Sequence, residues 1–221
     1  FLMAIPHDLK TPLTSVKGYL EAIEDGLAGT PEQLKEYVDI MQKKSRLLEQ
    51  RIDRLIDFAR MDTDTWRQKK HQPIPLRSFL EDLIRDFHRE ALLYGKSFRH
   101  HLEVPDALIL SGDPELLYRA FENILGNALT YTDKGDYIEL SAVREDRAVR
   151  ICIRDSGPGI AEEDRALIFE PFYRGDTGRN RAGMGLGLPS AAAVFKSHGG
   201  SITCTEAVRG GSEFVITLPV A

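Results

Sequence analysis

Residues 3–27, MAIPHDLKTPLTSVKGYLEAIEDGL, decide the fold of the N-terminal part of the chain. Large apolar residues recur in this stretch at alternating spacings of four and three, which is the heptad pattern of a helix with one apolar face. The positions on that face are Leu9, Leu13, Val16, Leu20, Ile23 and Leu27. We predict one amphipathic helix, although Pro6 and Pro12 each remove a helical N–H donor.

The two prolines flank the pair His7 and Asp8, which is an unusual place for them. A proline in a helix interior costs about 3 kcal/mol or more, so a purely structural helix would rarely keep both. Our hypothesis is that they soften the helix on both sides of His7, so that it can bend there between two orientations.

A second helix is predicted after a break at Gly29, because Thr30, Pro31 and Gln33 supply an N-cap, a first-turn proline and a capping-box partner. Its apolar face comprises Val38, Met41, Leu48, Ile52, Leu55 and Ala59, with Ser45 at one core position. A single helical hairpin leaves half of each apolar face in water. We therefore predict a homodimer through residues 1–61 that forms a four-helix bundle. The alternative is a hairpin that packs on the rest of its own chain.

A polar segment at residues 62–73, DTDTWRQKKHQP, has no apolar period and is interpreted as a linker. It separates the hairpin at residues 1–61 from a second domain at residues 74–221. That domain shows helix patterns at 76–94, 114–131 and 186–198, and strand patterns at 137–143, 148–154, 201–205 and 213–218. This order predicts an α/β domain in which helices cover one face of an antiparallel or mixed sheet.

Composition narrows the possible functions. The net charge of −5 argues against general binding to nucleic acid or to an anionic membrane, because phosphate binding needs a concentrated positive face. Cys152 and Cys204 lie in apolar stretches without metal-site spacing, so we interpret them as reduced core thiols. No stretch approaches the roughly 18 apolar residues of a membrane span. Because the first residues resemble a helix interior, we expect the cytoplasmic portion of a longer, membrane-anchored protein with a sensor region.

Three clusters in the second domain point to a nucleotide. In the first, Asn123, Asn127 and Tyr131 recur at every fourth residue and therefore share one helix face. Their amide oxygens suit a hard cation such as Mg2+, and the ring can stack on a base. The alternative is two surface amides near a helix end.

The second cluster is the sequence RDSGPGI at residues 154–160. Asp155 ends a predicted strand, and Gly157 and Gly159 form a tight turn after it. A carboxylate fixed at a strand end can accept a hydrogen bond from an exocyclic amine such as that of adenine. The alternative is an ordinary surface turn.

The third cluster, RAGMGLGL at residues 181–188, places Gly183, Gly185 and Gly187 before an Ala-rich helix. Bare glycine backbone and a helix N-terminus favour phosphate oxygens. No lysine followed by serine or threonine completes a P-loop here. The preceding loop carries Arg174, Arg179 and Arg181, as a lid over polyphosphate requires, although a solvated loop is the alternative.

Taken in order, six motifs resemble the H, N, G1, F, G2 and G3 boxes of sensor histidine kinases. They are HDLKTPL, NILGNALTYT, DSGPGI, FEPFYR, GMGLGL and GGSEF. The resemblance covers nearly the whole chain. It implies a dimerisation and phosphoacceptor hairpin, followed by an α/β-sandwich ATP-binding domain of the gyrase, Hsp90, histidine-kinase and MutL type.

The resemblance also implies roles for individual residues. His7 is the expected phosphoacceptor, Asp8 orients it, and Thr11 positions a water for dephosphorylation, although threonine is also common before a proline such as Pro12. Asn127, helped by Asn123, is expected to hold Mg2+. The remaining expected ATP-site residues are Tyr131 and Asp155 at the base, and Gly157, Gly159, Arg174, Gly183, Gly185, Leu186 and Gly187 around the pocket and lid. Phe169 and Phe172 are expected to anchor the lid.

The implied activity is ATP-dependent autophosphorylation of His7 and transfer of the phosphoryl group to an aspartate of a response regulator. Two departures stand out: Thr130 replaces the usual lysine of the N box, and Pro6 replaces a small polar residue. Thr130 favours the alternative of a degenerate scaffold or a phosphatase-only module. The remaining histidines, at positions 71, 88, 100, 101 and 198, are interpreted as surface or structural residues.

Overall fold

The structure is a computed structural model that describes residues 4–60, 71–175, 184–208 and 210–220. Within the first two helices, the side chains of residues 4–8, 50, 53, 54 and 57–60 are not described. The chain divides into two compact units, Phe1–Arg60 and Met61–Ala221.

The first unit is the predicted helical hairpin. Helix α1 spans Ala4–Glu24, with Pro12 inside it, and helix α2 spans Pro31–Arg60. The turn between them uses Gly26 at a φ of 71°. The hydroxyl oxygen of Thr30 then accepts a hydrogen bond from the N–H of Gln33 at 3.2 Å. This bond is the N-cap predicted for α2, and it explains why the helix begins at Pro31.

Apolar side chains of this hairpin remain in contact with solvent. The exposed ones are Leu13, Leu20, Leu27, Leu34, Val38, Ile52 and Ile56. Tyr19 and Tyr37 pack edge to face across the hairpin, with ring centroids 5.0 Å apart. The two helices therefore bury only part of the apolar face that their heptad pattern creates.

The second unit is an α/β domain. Its elements in chain order are β1 (Gln72–Pro75), α3 (Leu76–Leu93), β2 (Ser97–Glu103), β3 (Ile109–Gly112), α4 (Pro114–Tyr131), β4 (Tyr137–Glu145), β5 (Ala148–Asp155), a 3-10 turn (Leu167–Phe169), α5 (Gly187–Ser197), β6 (Ser201–Glu206) and β7 (Ser212–Pro219). Strand β1 begins inside the predicted linker, so regular structure starts two residues before the expected boundary at 74. Residues 62–70 of the predicted linker lie outside the described residues, and their assignment stays a prediction.

A five-stranded mixed sheet forms the centre of this domain, in the order β2-β4-β5-β7-β6. Strands β2 and β4 are parallel, and the remaining neighbours are antiparallel. A separate antiparallel pair joins β1 to β3. The expectation of a mixed sheet is thus confirmed, whereas β1, β2 and β3 were absent from the predicted strands.

One face of the sheet packs against the three helices in a single hydrophobic core. Alternate residues of β4, β5 and β7 point into it, including Ile138, Ile151 and Ile216, and all three side chains are fully buried. The rings of Phe121 on α4 and Phe195 on α5 lie 5.2 Å apart and join the two helices that border the candidate site.

The two cysteines are buried and unpaired. Burial raises the pKa of both thiols, to about 12 for Cys204. A raised thiol pKa keeps a cysteine in its neutral, unreactive form. Cys204 belongs to the hydrophobic core, as its sequence context predicts, whereas Cys152 is buried outside that core.

Candidate functional site

Asp155 ends β5 and is almost completely buried, with 4% of its surface exposed. Its Oδ1 atom accepts hydrogen bonds from the backbone N–H groups of Gly157 at 2.9 Å and Ser212 at 3.4 Å. These bonds come from the turn after β5 and from the start of β7. The carboxyl group is therefore held from two sides at the end of the central strands.

Burial raises the pKa of the Asp155 carboxyl, and the charge of Asp136 raises it further. The N–H groups of Gly157 and Ser212 act in the opposite direction, because they favour the ionised form. The result is a carboxylate with few protein partners and a high free energy when charged. Such a group is suited to accept a hydrogen bond from a ligand.

Glycines allow the backbone to approach Asp155 closely. A Cβ atom on Gly157 would stand 2.9 Å from the carbonyl oxygen of Tyr131, at the end of α4. Gly159 has a φ of 77°, and its Cβ position lies 3.2 Å from the carbonyl oxygen of Gly211. The predicted glycine turn therefore packs between the end of α4 and the turn before β7.

Gly211 and Ser212 belong to this site, although the sequence reasoning assigned them no role. Gly211 has a φ of 92°, and a Cβ atom there would overlap the carbonyl oxygen of Asp155. Ser212 supplies one of the two N–H donors to the carboxylate. The motif GGSEF contained the signal, because two consecutive glycines before a strand indicate a close backbone approach.

Helix α4 carries the predicted polar face. Its start is fixed by Asp113, whose Oδ1 accepts hydrogen bonds from the N–H groups of Glu115 and Leu116, both at 3.1 Å. Further along, Asn123, Asn127 and Tyr131 are all half-buried. Because these positions recur once per turn, they lie along one side of the helix.

The start of α5 meets this face. A Cβ atom on Gly187 would stand 3.1 Å from the amide oxygen of Asn123. Gly187 is therefore the residue that lets the first turn of α5 approach the amide. Two half-buried amide oxygens on one helix face fit a hard cation that also takes phosphate oxygens and water. The residues present thus fit Mg2+, and Asn123 and Asn127 are the two that could hold it.

Thr130, the departure from the family pattern, turns its hydroxyl towards its own helix. The Thr130 hydroxyl donates a hydrogen bond to the carbonyl oxygen of Gly126 at 2.7 Å. A back-bonded threonine supplies no positive charge. Any cationic contact to phosphate at this site must therefore come from another residue.

Two residues with left-handed backbone close the base of the predicted lid. Phe172 has a φ of 65°, which is uncommon for a bulky residue, and Gly185 has a φ of 66°. The N–H of Phe172 donates a hydrogen bond to the carbonyl oxygen of Gly185 at 2.9 Å. A Cβ atom on Gly185 would stand 2.7 Å from the carbonyl oxygen of Tyr173, so this position requires glycine.

Other predicted lid residues have different surroundings. Phe169 packs edge to face on Phe214 of the core, with ring centroids 6.5 Å apart. Leu186 is 1% exposed and directly precedes α5, while Arg174 is half-buried. Gly183, Arg179 and Arg181 lie outside the described residues.

The phosphoacceptor motif lies in the first unit. The backbone of His7 and Asp8 belongs to α1, and their side chains lie outside the described part of the chain. Thr11 is exposed one turn later, and Pro12 is buried. The helix continues through Pro12, so the bend proposed for this position stays a prediction.

Comparison with protein families assigns both units. Residues 1–64 match the family described as His Kinase A (phospho-acceptor) domain. Residues 112–221 match the family described as Histidine kinase-, DNA gyrase B-, and HSP90-like ATPase. The chain belongs to the sensor histidine kinases. The assignment from the six sequence motifs is thereby confirmed, together with the expected fold class.

A curated relative supports the family assignment along the whole length of this chain. The signal transduction histidine-protein kinase BaeS of Escherichia coli K12 is 33% identical over 223 residues, which cover 100% of this chain and 46% of BaeS. The chain therefore spans about half the length of this curated relative. Among the described residues, no helix combines the length and apolar character of a membrane span.

Two solved structures resemble it. Full-length ShkA in complex with AMPPNP has a TM-score of 0.73 and 25% identity, covering 100% of this chain and 45% of that chain. The histidine kinase ThkA in complex with the response regulator protein TrrA has a TM-score of 0.75 and 21% identity. The match covers 97% of this chain and 59% of the ThkA chain. The ThkA structure shows a likeness of fold.

Proposed function

We propose that this chain is the catalytic core of a protein-histidine kinase that uses ATP to phosphorylate its own His7 and passes the phosphoryl group to an aspartate of a response regulator. One observation carries this proposal: a buried carboxylate, Asp155, is held by backbone donors, one of which comes from a glycine that packs on the end of α4. Families with a phosphoacceptor and an ATPase domain match the two units, which supports the same interpretation.

Asp155 recognises the adenine base. Its carboxylate accepts a hydrogen bond from the exocyclic amine of adenine, while Gly157 and Ser212 hold Oδ1. Guanine carries a carbonyl oxygen at the corresponding position, and two acceptors facing each other would repel. Tyr131, at the end of the same helix face, lies against the base. These four residues thus make the site selective for adenine nucleotides.

Asn127 and Asn123 would hold Mg2+ through their amide oxygens. The ion neutralises charge on the phosphate oxygens when it is bound. The backbone at Gly185, Leu186 and Gly187, at the start of α5, faces the phosphates, where the helix N-terminus favours negative charge. Arg174 and the lid glycine Gly183 complete this side of the pocket.

His7 is the nucleophile. One ring nitrogen attacks the γ-phosphorus, so that an N–P bond forms while the bridging O–P bond breaks and ADP departs with the electron pair. Asp8 accepts a hydrogen bond from the other ring nitrogen, which fixes the tautomer and stabilises the positive charge that develops on the ring. The N–P bond is reactive enough for transfer to a carboxylate.

The first unit also provides the partner surfaces. Two copies associate through residues 1–61, where the exposed leucines of α1 and α2 become buried in a four-helix bundle. The receiver domain of a response regulator docks near His7; the structurally similar ThkA forms a complex with the response regulator protein TrrA, which supports a partner of this class. Thr11 positions a water that dephosphorylates the regulator. The chain acts on the cytoplasmic side of a membrane, to which further parts of the protein anchor it.

A second candidate is a scaffold or phosphatase-only module. Thr130 favours it, because its hydroxyl is bonded to Gly126 and supplies no cation where the family usually has lysine. The two candidates differ in whether the protein binds Mg2+ and ATP. Titration with ATP, with and without Mg2+, separates them: no binding by the wild-type chain supports the scaffold, and Mg2+-dependent binding that is lost in Asn127→Ala supports the kinase.

The kinase activity itself is tested with γ-labelled ATP. We expect acid-labile, base-stable label on the protein, because a phosphoramidate hydrolyses in acid. His7→Gln is expected to remove the label without changing nucleotide affinity. Label that persists in His7→Gln would show that another residue is the acceptor.

A further inference from the structure

Asp136 lies outside every predicted motif, yet it connects two parts of the candidate site. It occupies the loop between α4 and β4. Its Oδ2 accepts a hydrogen bond from the N–H of Asp133 at 2.7 Å, and its Oδ1 accepts one from the hydroxyl of Ser156 at 3.0 Å. The carboxylate therefore joins the loop that follows Tyr131 to the residue that follows Asp155.

Ser156 is fixed by β4 as well. Its hydroxyl oxygen accepts a hydrogen bond from the N–H of Tyr137 at 2.9 Å, and its own N–H donates to the carbonyl oxygen of Tyr137 at 3.1 Å. These contacts follow from the antiparallel register of β4 and β5, in which Ile138 lies opposite Asp155. The residue after Asp155 is thus held by three hydrogen bonds to residues 136 and 137.

The carbonyl oxygen of Asp136 continues the same connection to a neighbouring strand. It accepts a hydrogen bond from the N–H of Ser97, the first residue of β2, at 2.9 Å. Asp136 therefore lies where the end of α4, the start of β2 and the turn after β5 meet. A shift of this residue would move Asp155 relative to Tyr131 and Asn127.

We propose that Asp136 and Ser156 are positioning residues for adenine recognition, which fix the Asp155 carboxylate relative to the amide-bearing face of α4. This inference rests on the proposed ATP-binding function. Neither residue touches the nucleotide in this proposal; both act through Asp155 and through the loop that ends α4.

The charge of Asp136 provides a measurable signature of this role. Burial is the main cause of the raised pKa of Asp155, and the charge of Asp136 adds a smaller increase, so its removal is expected to lower somewhat the pH at which Asp155 becomes protonated. Among the residues that the structure describes, Cys204 of β6 also interacts with the charge of Asp155, and its thiol is neutral because burial raises its pKa to about 12. This charge effect tests whether Asp136 lies close to Asp155 in solution, and the uncharged Ser156 is not expected to show it.

The experiment measures ATP binding by calorimetry in the presence of Mg2+, from about pH 4 to about pH 8. The variants are Asp136→Ala, Asp136→Asn and Ser156→Ala. Asp146→Asn is the matched control, because it removes one negative charge from the turn at the far end of β4. The same nucleotide is used throughout, so its own protonation affects every variant equally.

At neutral pH we expect Asp136→Ala and Ser156→Ala to weaken ATP binding about three- to tenfold, as the loss of one or two positioning hydrogen bonds implies. Asp136→Asn keeps one acceptor oxygen and is expected to weaken binding less. In Asp136→Asn, the pH of half-maximal binding is expected to fall below that of wild type. In Ser156→Ala and Asp146→Asn it should match wild type.

The outcomes separate the two proposals. A wild-type chain that binds no ATP would refute the proposed function. A wild-type chain that binds ATP while Asp136→Ala and Ser156→Ala bind equally well would overturn the positioning role alone. The positioning role would also be overturned if Asp136→Asn is folded, as judged by circular dichroism, but shows no downward shift of the pH of half-maximal binding.

Discussion

The backbone of Gly211 lies so close to Asp155 that a Cβ atom on Gly211 would overlap the Asp155 carbonyl oxygen. The next residue, Ser212, donates its N–H to the Asp155 side chain. The turn before β7 thus contacts both the backbone and the carboxylate of Asp155. A glycine without a predicted role in ATP binding therefore belongs to the surroundings of the residue that we propose to recognise adenine.

Gly211→Ala is expected to weaken ATP binding and to destabilise the ATP-binding domain by about 2 kcal/mol or more, because the added methyl group displaces the end of β5. Gly210→Ala is the matched control. Gly210 also has a positive φ, of 83°, but a Cβ atom there meets open space. The Gly210→Ala variant should lose only about 1 kcal/mol of its free energy of unfolding and should keep its affinity for ATP. Urea unfolding and calorimetry measure both effects, and equal losses of affinity in the two variants would contradict the prediction.

Asp155→Asn is expected to abolish adenine recognition, because the new amide places a donor opposite the exocyclic amine. Its effect on stability depends on pH. Since burial raises the pKa of Asp155, the folded state binds the proton more tightly than the unfolded chain does. The wild type therefore loses stability as the pH rises above the ordinary carboxyl pKa of about 3.9, until it passes the raised folded value. The amide that replaces the carboxyl group in Asp155→Asn cannot ionise, so the variant does not share this loss.

The difference in free energy of unfolding, Asp155→Asn minus wild type, should consequently increase with pH. Urea titrations at several pH values between about 4 and about 8 measure it. A difference that stays constant or decreases with pH would show that folding does not raise the pKa of Asp155.

His198 ties the end of α5 to the start of α4. Its Nε2 accepts a hydrogen bond from the N–H of Asp113 at 3.0 Å, and its Nδ1 lies 2.8 Å from the carbonyl oxygen of Val194. Nδ1 therefore carries the proton. Burial lowers the pKa of His198, and the nearby ring of His71 acts in the same direction. This agrees with the interpretation of His198 as a structural residue.

Because the folded state disfavours the charged ring, the unfolded chain binds the additional proton more readily. Stability is therefore fully present above the ordinary histidine pKa of about 6.5 and decreases as the pH falls below it. His198→Gln should reduce this acid-dependent loss, whereas His88→Gln, at an exposed position, should retain it. Chemical unfolding at about pH 5 and about pH 7.5 provides the measurement; an unchanged pH dependence in His198→Gln would exclude this role.

A substitution at Leu20 tests the predicted dimer. Leu20 lies on the apolar face of α1 and is 48% exposed in the single chain. Leu20→Glu should shift the protein from dimer to monomer, because burying a carboxylate in a four-helix bundle is strongly unfavourable. Val208→Glu is the control, since Val208 is an apolar residue that is 95% exposed in the other unit. Light scattering after size exclusion reports the mass; a Leu20→Glu protein that stays dimeric would place the interface elsewhere.

Local signals in the sequence predicted much of the fold. Helix α4 begins and ends at the predicted residues because Asp113 and Pro114 form a strong start signal, and Asp113 caps the helix as expected. The longer strands were predicted for a similar reason: their apolar residues alternate, and the buried positions of β4 and β7 follow that alternation.

The missed strands lack such signals. Strand β1 contains two prolines in four residues, which disfavours a strand prediction, but it pairs only with the short β3. In β2, Phe98 is the one buried residue, and its neighbours are histidines and charged residues. The strand therefore shows no alternation of apolar and polar residues. Its parallel pairing with β4 depends on contacts between residues far apart in sequence. The same limitation hides Asp136, Ser156 and Gly211, whose roles depend on strand register.

The hydrogen bond between the N–H of Phe172 and the carbonyl oxygen of Gly185 has a consequence for protein engineering. It anchors the two ends of the intervening segment to each other, immediately before α5. Loop closure becomes only slowly more unfavourable with added residues, so an insertion between Arg174 and Gly183 would lengthen this segment while it spares both proposed pocket residues. The contact of Gly187 with Asn123 lies outside the lengthened segment. Under the proposed ATP-binding function, a reporter peptide inserted there would respond to nucleotide occupancy.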